Sequence, residues 1–176
     1  ISSFDEPPAG KLLATDEWIL SELNGLTEES VGAYEALNLF VPSNRCREFL
    51  WNVFAPHYVE MVKARAYAGD TGALWTLHAC LRGLLRLLAP VIPFSTDRIW
   101  RSAYGGSVHA ERFPRALDGI PASRRDATAA ILEFNSSIWK AKRDRGASLN
   151  EEWPGVTIPA GLEPYGVDLR RMHRLV

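Results

Sequence analysis

Between Leu74 and Leu88 the chain places Leu74, Trp75, Leu77, Cys80, Leu81, Leu84, Leu85, Leu87 and Leu88. Wound at 3.6 residues per turn, these side chains cover most of a helix circumference, so the segment must be enclosed by other elements rather than laid on a surface. The pattern predicts the central helix of a bundle, over about residues 72–88. A helix of this kind folds only if amphipathic partners surround it.

The rest of the chain supplies them. Ile19, Leu23, Leu26, Tyr34 and Leu37 recur at three-to-four spacing, with Asp16, Glu17 and Glu22 near the start where the helix dipole favours negative charge, predicting a first helix over 16–37. Pro42-Ser43-Asn44 reads as a stop and a new cap, followed by a stripe of Phe49, Leu50, Val53, Phe54, Tyr58, Met61 and Val62 that runs to Tyr67. Pro56 predicts a kink in that stripe, because its ring removes a backbone donor and crowds the carbonyl of Asn52. After Ala89-Pro90-Val91-Ile92-Pro93 a short fourth helix is expected from Phe94, with Ile99 and Trp100 facing inward, ending at Tyr104-Gly105-Gly106. Ser107 to Phe113 reads as an extended piece. Ser123-Arg124-Arg125-Asp126 is a start signal for a fifth helix that keeps Ala127, Ile131, Phe134, Ile138 and Trp139 on one face up to Arg143. Val156-Thr157-Ile158 predicts a strand, and residues 162–174 a last helix with Pro164 in its first turn. The expected organisation is a lead-in segment over 1–14, a helical bundle over 15–115, and a long helix with a small α/β tail over 116–176.

Function classes narrow by elimination. No apolar run reaches the roughly 18 residues a membrane span requires, so no membrane partner is expected. Cys46 and Cys80 lie 34 residues apart inside apolar patterns and read as reduced packing residues, in keeping with a cytoplasmic location. The chain opens Ile-Ser-Ser and is expected to be a piece of a longer polypeptide. There is no phosphate-binding glycine loop, no HExxH and no GxSxG, and His57, His78, His109 and His173 are dispersed. No catalytic residue, metal ligand or cofactor site is expected in these residues.

The charge distribution points elsewhere. The total is −1, yet residues 1–40 hold eight acids against Lys11, while Arg82, Arg86, Arg98 and Arg101 face only Asp97 in residues 71–104. Residues 124–145 add six bases against three acids. Packed side by side, the two basic stretches form a face suited to a polyanion.

Four stretches carry a resemblance. TDEWILSELNGL (15–26), NRCREFLWNVFAPHYVEMVKARAY (44–67), LRGLLRLLAPVIPFSTDRIW (81–100) and SVHAERFP (107–114) occur in this order, followed by WKAKRDRGASLN (139–150), Ile158-Pro159 and Asp168-Leu169-Arg170-Arg171-Met172-His173. The ordered set resembles the anticodon-binding helical domain of class I aminoacyl-tRNA synthetases of the valine, isoleucine and leucine subgroup, nearest to the valine branch of archaeal type. It covers the chain from about Lys11 to Val176.

The resemblance implies a mainly α fold and recognition of the anticodon arm of valine tRNA isoacceptors. It also implies that ATP, with magnesium, is used by a catalytic domain upstream, beside an editing domain, since the family's HIGH and KMSKS signatures have no counterpart here. The same domain in an isoleucine or leucine enzyme, or a helical protein-interaction scaffold, are the alternatives. Exposed anticodon bases are read by stacking and by base-edge hydrogen bonds, with Lys and Arg on the phosphates. Trp18 is the stacking candidate, or else packs at the bundle edge. Asn24, Arg45 and Arg47 are candidate tRNA contacts on polar helix faces. Lys63 and Arg65 are candidate tRNA contacts, or else are solvated or meet the body of the synthetase, and Lys140, Lys142, Arg143 and Arg145 are candidates for phosphates outside the anticodon. Trp51, Trp75, Trp100 and Trp139 read as core.

Overall fold

The computed structural model describes Pro8, Gly10 and residues 12–176. Seven α-helices follow one another among the described residues: α1 (Ala14–Glu35), α2 (Phe40–Glu48), α3 (Glu60–Tyr67), α4 (Thr71–Leu88), α5 (Pro93–Tyr104), α6 (Thr128–Asp144) and α7 (Gly166–His173). Most of the lead-in expected over 1–14, including Asp5, Glu6, Pro7 and Lys11, lies outside the described residues.

The second rod departs from expectation at two points. Its cap is Asn38, whose Oδ1 accepts from the backbone N–H of Phe40 (3.0 Å) and Val41 (3.2 Å), so the helix begins ahead of Pro42 instead of after it. A proline in the first turn costs no intrahelical hydrogen bond. The kink expected at Pro56 is instead a wide π-helical stretch, Phe49–Val59, joining α2 to α3 as one rod. Widening the turns accommodates the missing donor and the ring without breaking the rod.

Asp70 caps α4 by accepting from Ala73 N–H at 2.8 Å. α1 lies against α4, and Gly83 lets it come close, since a Cβ there would stand 3.0 Å from a Leu23 methyl. Trp18, Ile19, Leu23, Tyr58, Met61, Cys80 and Leu87 fill the space between, and the same apolar cluster runs on through Ile131 and Ile138 to Leu169. α5 packs on the far side of α4, where Leu85, Ala89, Trp100 and Val108 form a separate small cluster. Ile99 does not join it and is 47% exposed, because adjacent helical positions diverge by about 100° and a helix with one neighbour buries only one of such a pair. Residues 107–113 hold a single 3₁₀ turn, Val108–Ala110, rather than an extended piece.

The tail corrects a further expectation. No strand forms over 156–158 among the described residues. The run is bracketed by Pro154, Gly155 and Pro159, too short to pair, and Ile158 plugs into the core. What remains of β structure is one parallel bridge between Trp153 and Leu175. The tail is therefore helical and irregular, with a 3₁₀ turn Ala160–Tyr165 leading into α7. The start signal at 123–126 likewise gives a 3₁₀ turn, Ala122–Ala127, with α6 beginning only at Thr128.

These packings give the bundle two unlike ends. At one, Asp16 of α1, Arg65 of α3 and Asp70 before α4 are joined by ion pairs. At the other, Tyr34 near the end of α1 donates its hydroxyl to the carbonyl of Leu87 near the end of α4, at 2.7 Å. α1 and α4 therefore point the same way, and the α2–α3 rod returns between them. The second end carries both the α1–α2 and α4–α5 turns, with Leu37, Phe40 and Phe94 at least three-quarters exposed.

Candidate nucleic-acid interface

Four of the residues singled out from the sequence are engaged within the fold, three of them buried and Asn24 half-buried. Trp18 has no exposed area, and its indole Nε1 donates to Thr128 Oγ1 at 2.8 Å, so the expectation that it stacks on a base is corrected: it is a core residue tying α1 to α6. Asn24 spends both amide groups on one loop residue, with Oδ1 accepting from Leu117 N–H (2.7 Å) and Nδ2 donating to Leu117 O (2.9 Å). That tie fixes the amide against the loop.

Arg65 is buried within three carboxylates. Nη2 and Nη1 donate to Asp16 at 2.8 and 3.1 Å, Nε and Nη2 to Asp168 at 3.0 and 3.1 Å, and Nη1 to Asp70 at 3.0 Å. Burial pulls this guanidinium down, but the bonds to Asp16 and Asp168 outweigh it and hold Arg65 above its ordinary range. Tyr58 adds its hydroxyl to Asp16 at 2.8 Å. The sequence expectation of a tRNA or inter-domain contact at Arg65 gives way to a structural clamp between α1, α3 and α7. A polar spacing alone cannot reveal it, because its partner Asp168 is 103 residues away.

Lys142 is the fourth. It points inward from α6 and its ammonium donates to three backbone carbonyls, Leu149 (2.9 Å), Glu151 (2.6 Å) and His173 (2.9 Å). Burial lowers its pKa. All three donors are used, so no phosphate reaches it.

The remaining candidates are exposed but differ in freedom. Arg45 is held by Glu29 (2.9 Å) and Glu48, whose hydrogen bonds raise it above its usual value, and Lys63 is paired with Glu60 at 3.3 Å. Arg47 touches only Asn44 Oδ1, at 3.4 Å. On α6 and after it, Lys140, Arg143 and Arg145 face solvent. Arg143 stands 3.9 Å from Asp144, and the Arg145 guanidinium lies 4.7 Å over the Trp153 ring.

The structure also brings forward residues the sequence reading placed elsewhere. Trp51, expected in the core, is 68% exposed, and Phe40 is 75% exposed. Phe40, Asn44, Arg47 and Trp51 follow at intervals of four, three and four, which lines them along one solvent-facing edge of the rod. The signal was present: Trp51 is two residues from both Phe49 and Val53, hence on the opposite side of a helix phased by them. It is also seven residues from Tyr58, which puts it in phase with the buried face of the later half. The π-helical stretch between the two halves breaks that second phase. Trp75 and Trp100 are buried as expected, and Trp139 is partly buried.

Among the described residues, no group of three or more His, Cys, Asp or Glu side chains is placed to hold a metal ion. Nor, among these residues, is any helix long and apolar enough to cross a membrane. The described residues thus offer aromatic and guanidinium groups along one rod.

Comparison with known proteins agrees with this inventory. The family profile for the anticodon-binding domain of tRNA ligase matches residues 16–158. The chain is 33% identical to a valine–tRNA ligase of Pyrobaculum aerophilum and 36% identical to one of Aeropyrum pernix, in each case over 99% of this chain and 23% of the relative. A valine–tRNA ligase of Anaplasma marginale is 35% identical over 88% of this chain and 20% of its own length. The chain therefore spans less than a quarter of these curated relatives.

Proposed function

This chain belongs to the anticodon-binding domain family of tRNA ligases, and on that premise we propose that it grips the anticodon arm of valine tRNA on behalf of a valine–tRNA ligase. The observation that carries the reading is the edge Phe40, Asn44, Arg47 and Trp51, continued at the same end of the bundle by Leu37. Unstacked anticodon bases lie on aromatic and guanidinium planes, which is what this edge presents. Arg47 lacks a carboxylate partner among the described residues, and its charge is available to RNA. Lys140, Arg143 and Arg145 serve phosphates outside the anticodon, whereas Arg45 and Lys63 keep their acidic partners and contribute less.

The relatives favour valine over isoleucine or leucine, and a tRNA role over a protein scaffold. Charging with valine at the expense of ATP and magnesium then belongs to a catalytic domain outside these 176 residues, in the cytoplasm. The deciding experiment is the affinity of the 176-residue chain for valine tRNA transcripts with native and swapped anticodons, repeated for Trp51→Ala and Phe40→Ala. A stacked base is worth about 1–3 kcal/mol, so each variant is expected to lose roughly 5- to 150-fold in affinity and part of the anticodon preference. Unchanged affinity and preference in both variants would reject the edge as the reader.

A further inference from the structure

Next to the exposed edge, a cleft of about 260 Å³ opens between α1 and the rod. Its apolar floor is Leu26 of α1 with Phe49 and Val53 of the π-helical stretch. The walls are polar. Glu22 and Glu29 come from α1, Arg45, Glu48 and Asn52 from the rod, and Arg125 from the 3₁₀ turn ahead of α6. A space of this size, apolar below and hydrogen-bonding at the sides, suits one flat polar ring.

The fold holds these walls in place. Arg45 donates Nε to Glu29 Oε2 at 2.9 Å and Nη1 to Glu48 Oε2, which bridges α1 to the rod and leaves the second oxygen of each carboxylate unclaimed by Arg45. Glu22 is tied to α6 by accepting from Thr128 Oγ1. Asn52 directly follows Trp51, and its amide makes no hydrogen bond among the described residues. A glycine inside a helix costs stability relative to alanine. α1 keeps one at Gly25, where a Cβ would stand 3.0 Å from Arg125 Cζ and closer still to Nη1. The Arg125 guanidinium thus lies against the α1 backbone, in space that any other residue at position 25 would fill.

Three carboxylates against two guanidinium groups leave the cleft with an excess of negative charge, which disfavours a phosphate and favours N–H donors. A carboxylate only accepts hydrogen bonds. An unstacked adenine, cytosine or guanine offers it an exocyclic amino group, whereas uracil presents two carbonyl oxygens on either side of one N–H.

We propose that this cleft takes one unstacked RNA base carrying an exocyclic amino group, with Glu29, Glu48 and Asn52 reading its edge and excluding uracil. The inference rests on the function proposed above and adds a base-selective pocket to a stacking edge that tolerates any base. Trp51 and Asn52 are consecutive, so edge and cleft occupy adjoining faces of one rod, and a strand stacked on the first passes the mouth of the second.

The test measures the affinity of the 176-residue chain for valine tRNA transcripts in which each anticodon nucleotide in turn is set to adenosine, cytidine, guanosine and uridine. At one position uridine should bind about 5- to 150-fold more weakly than the best amino-bearing base. Two variants should remove most of that penalty. Gly25→Ala displaces the flexible end of Arg125 within the cleft, and its Tm should equal or exceed that of the parent. Glu29→Gln with Glu48→Gln supplies amides that can also donate to uracil. The Arg45 charge this releases acts on every transcript alike, because a phosphate contact carries no base information, and so cancels from the ratio.

A uridine penalty that falls in both variants at the same position supports the cleft. Its absence at all three anticodon positions, or a penalty unmoved in both variants, overturns it. If the penalty appears while Trp51→Ala and Phe40→Ala change nothing, the edge is rejected and the cleft stands. Should the native chain bind no tRNA at all, the function proposed above fails and free cytidine and uridine decide the cleft. Cytidine moving the Asn52 side-chain amide resonances, with uridine leaving them in place, supports it; equal or absent shifts overturn it.

Discussion

Arg65 and Asp168, 103 residues apart in the chain, face each other through two hydrogen bonds, Nε to Oδ1 at 3.0 Å and Nη2 to Oδ2 at 3.1 Å, and both side chains are buried. A paired geometry of this kind repays the cost of burying a cation only while every partner is present. The contact fastens α7 to the end of α3, so the tail is part of the bundle's own stability.

Removing one member of this cluster strands the others. Asp168→Ala is expected to cost about 3–5 kcal/mol, a fall in Tm of roughly 6–20 °C for a domain of this size. A chain ending at residue 115 loses Asp168 along with Ile131, Ile138 and Leu169 from the shared core, and should show no cooperative thermal transition. A sharp transition from that shortened chain would show that the tail is dispensable.

The two tryptophans at opposite extremes of exposure should separate folding from binding. Trp18→Ala empties a filled core position and is expected to cost about 3–5 kcal/mol of stability, whereas Trp51→Ala should leave Tm within 2–3 °C, roughly the effect of a surface change. Thermal melts of both variants beside tRNA affinity check this. Equal melting losses would mean that Trp51 is packed in solution.

The basic cluster of α6 divides in the same way. Lys142→Met leaves the carbonyls of Leu149, Glu151 and His173 without their donor and should destabilise by about 2–4 kcal/mol. Lys140→Ala and Arg143→Ala should leave stability intact and each lower the salt slope of tRNA binding by about 0.7–0.9. A Lys142→Met protein that melts like the parent would contradict the three-carbonyl anchor.

Acid sensitivity follows from a buried bridge. Asn135 donates Nδ2 to His57 Nδ1 at 3.0 Å, while its Oδ1 accepts from His173 Nε2 at 2.7 Å, an arrangement that requires a neutral His57. Burial holds His57 down, and burial followed by the charges of Lys142 and His57 brings His173 to about 4. An imidazole in the unfolded chain titrates near about 6.5. Below that pH the unfolded chain binds a proton that the native one refuses, so stability is full above about 6.5 and declines as pH falls to about 4. For His173 alone the loss is about 3 kcal/mol. Urea midpoints between pH 7.5 and 4 should trace this decline, and His173→Gln should flatten it. A native midpoint constant over that range would refute the assignment. Asp97, held at about 2 by Ser107 first and then by Arg101, acts in a lower window, its contribution being lost between about 4 and 2.

The helices were legible because burial imposes a period, and the period survives in the residues. Leu74 to Leu88 announced an enclosed helix, and α4 is one. What could not be read were properties set by pairing at long range. Arg65, Lys142 and Asn24 look like any polar residue on a helix face until the partner that claims each one is known. Trp51 left the core for a local reason, since a few wide turns around Pro56 reset the phase on which its assignment depended, whereas Trp18 was claimed by Thr128 of α6, 110 residues away. The three-residue run at Val156 had strand propensity but no neighbour to pair with.

The wide turns ahead of Pro56 carry one more consequence. Each residue of an α-helix advances the side-chain direction by about 100°, and a stretch wound more loosely adds an offset between what lies before it and what lies after. Phe40, Asn44 and Arg47, which lie ahead of that stretch, are therefore offset in direction from Met61, Val62 and Arg65, which follow it, although all belong to one rod. A change in that winding would re-aim the first half of the rod, while the second, bolted to α7 through Arg65 and Asp168, stays where it is.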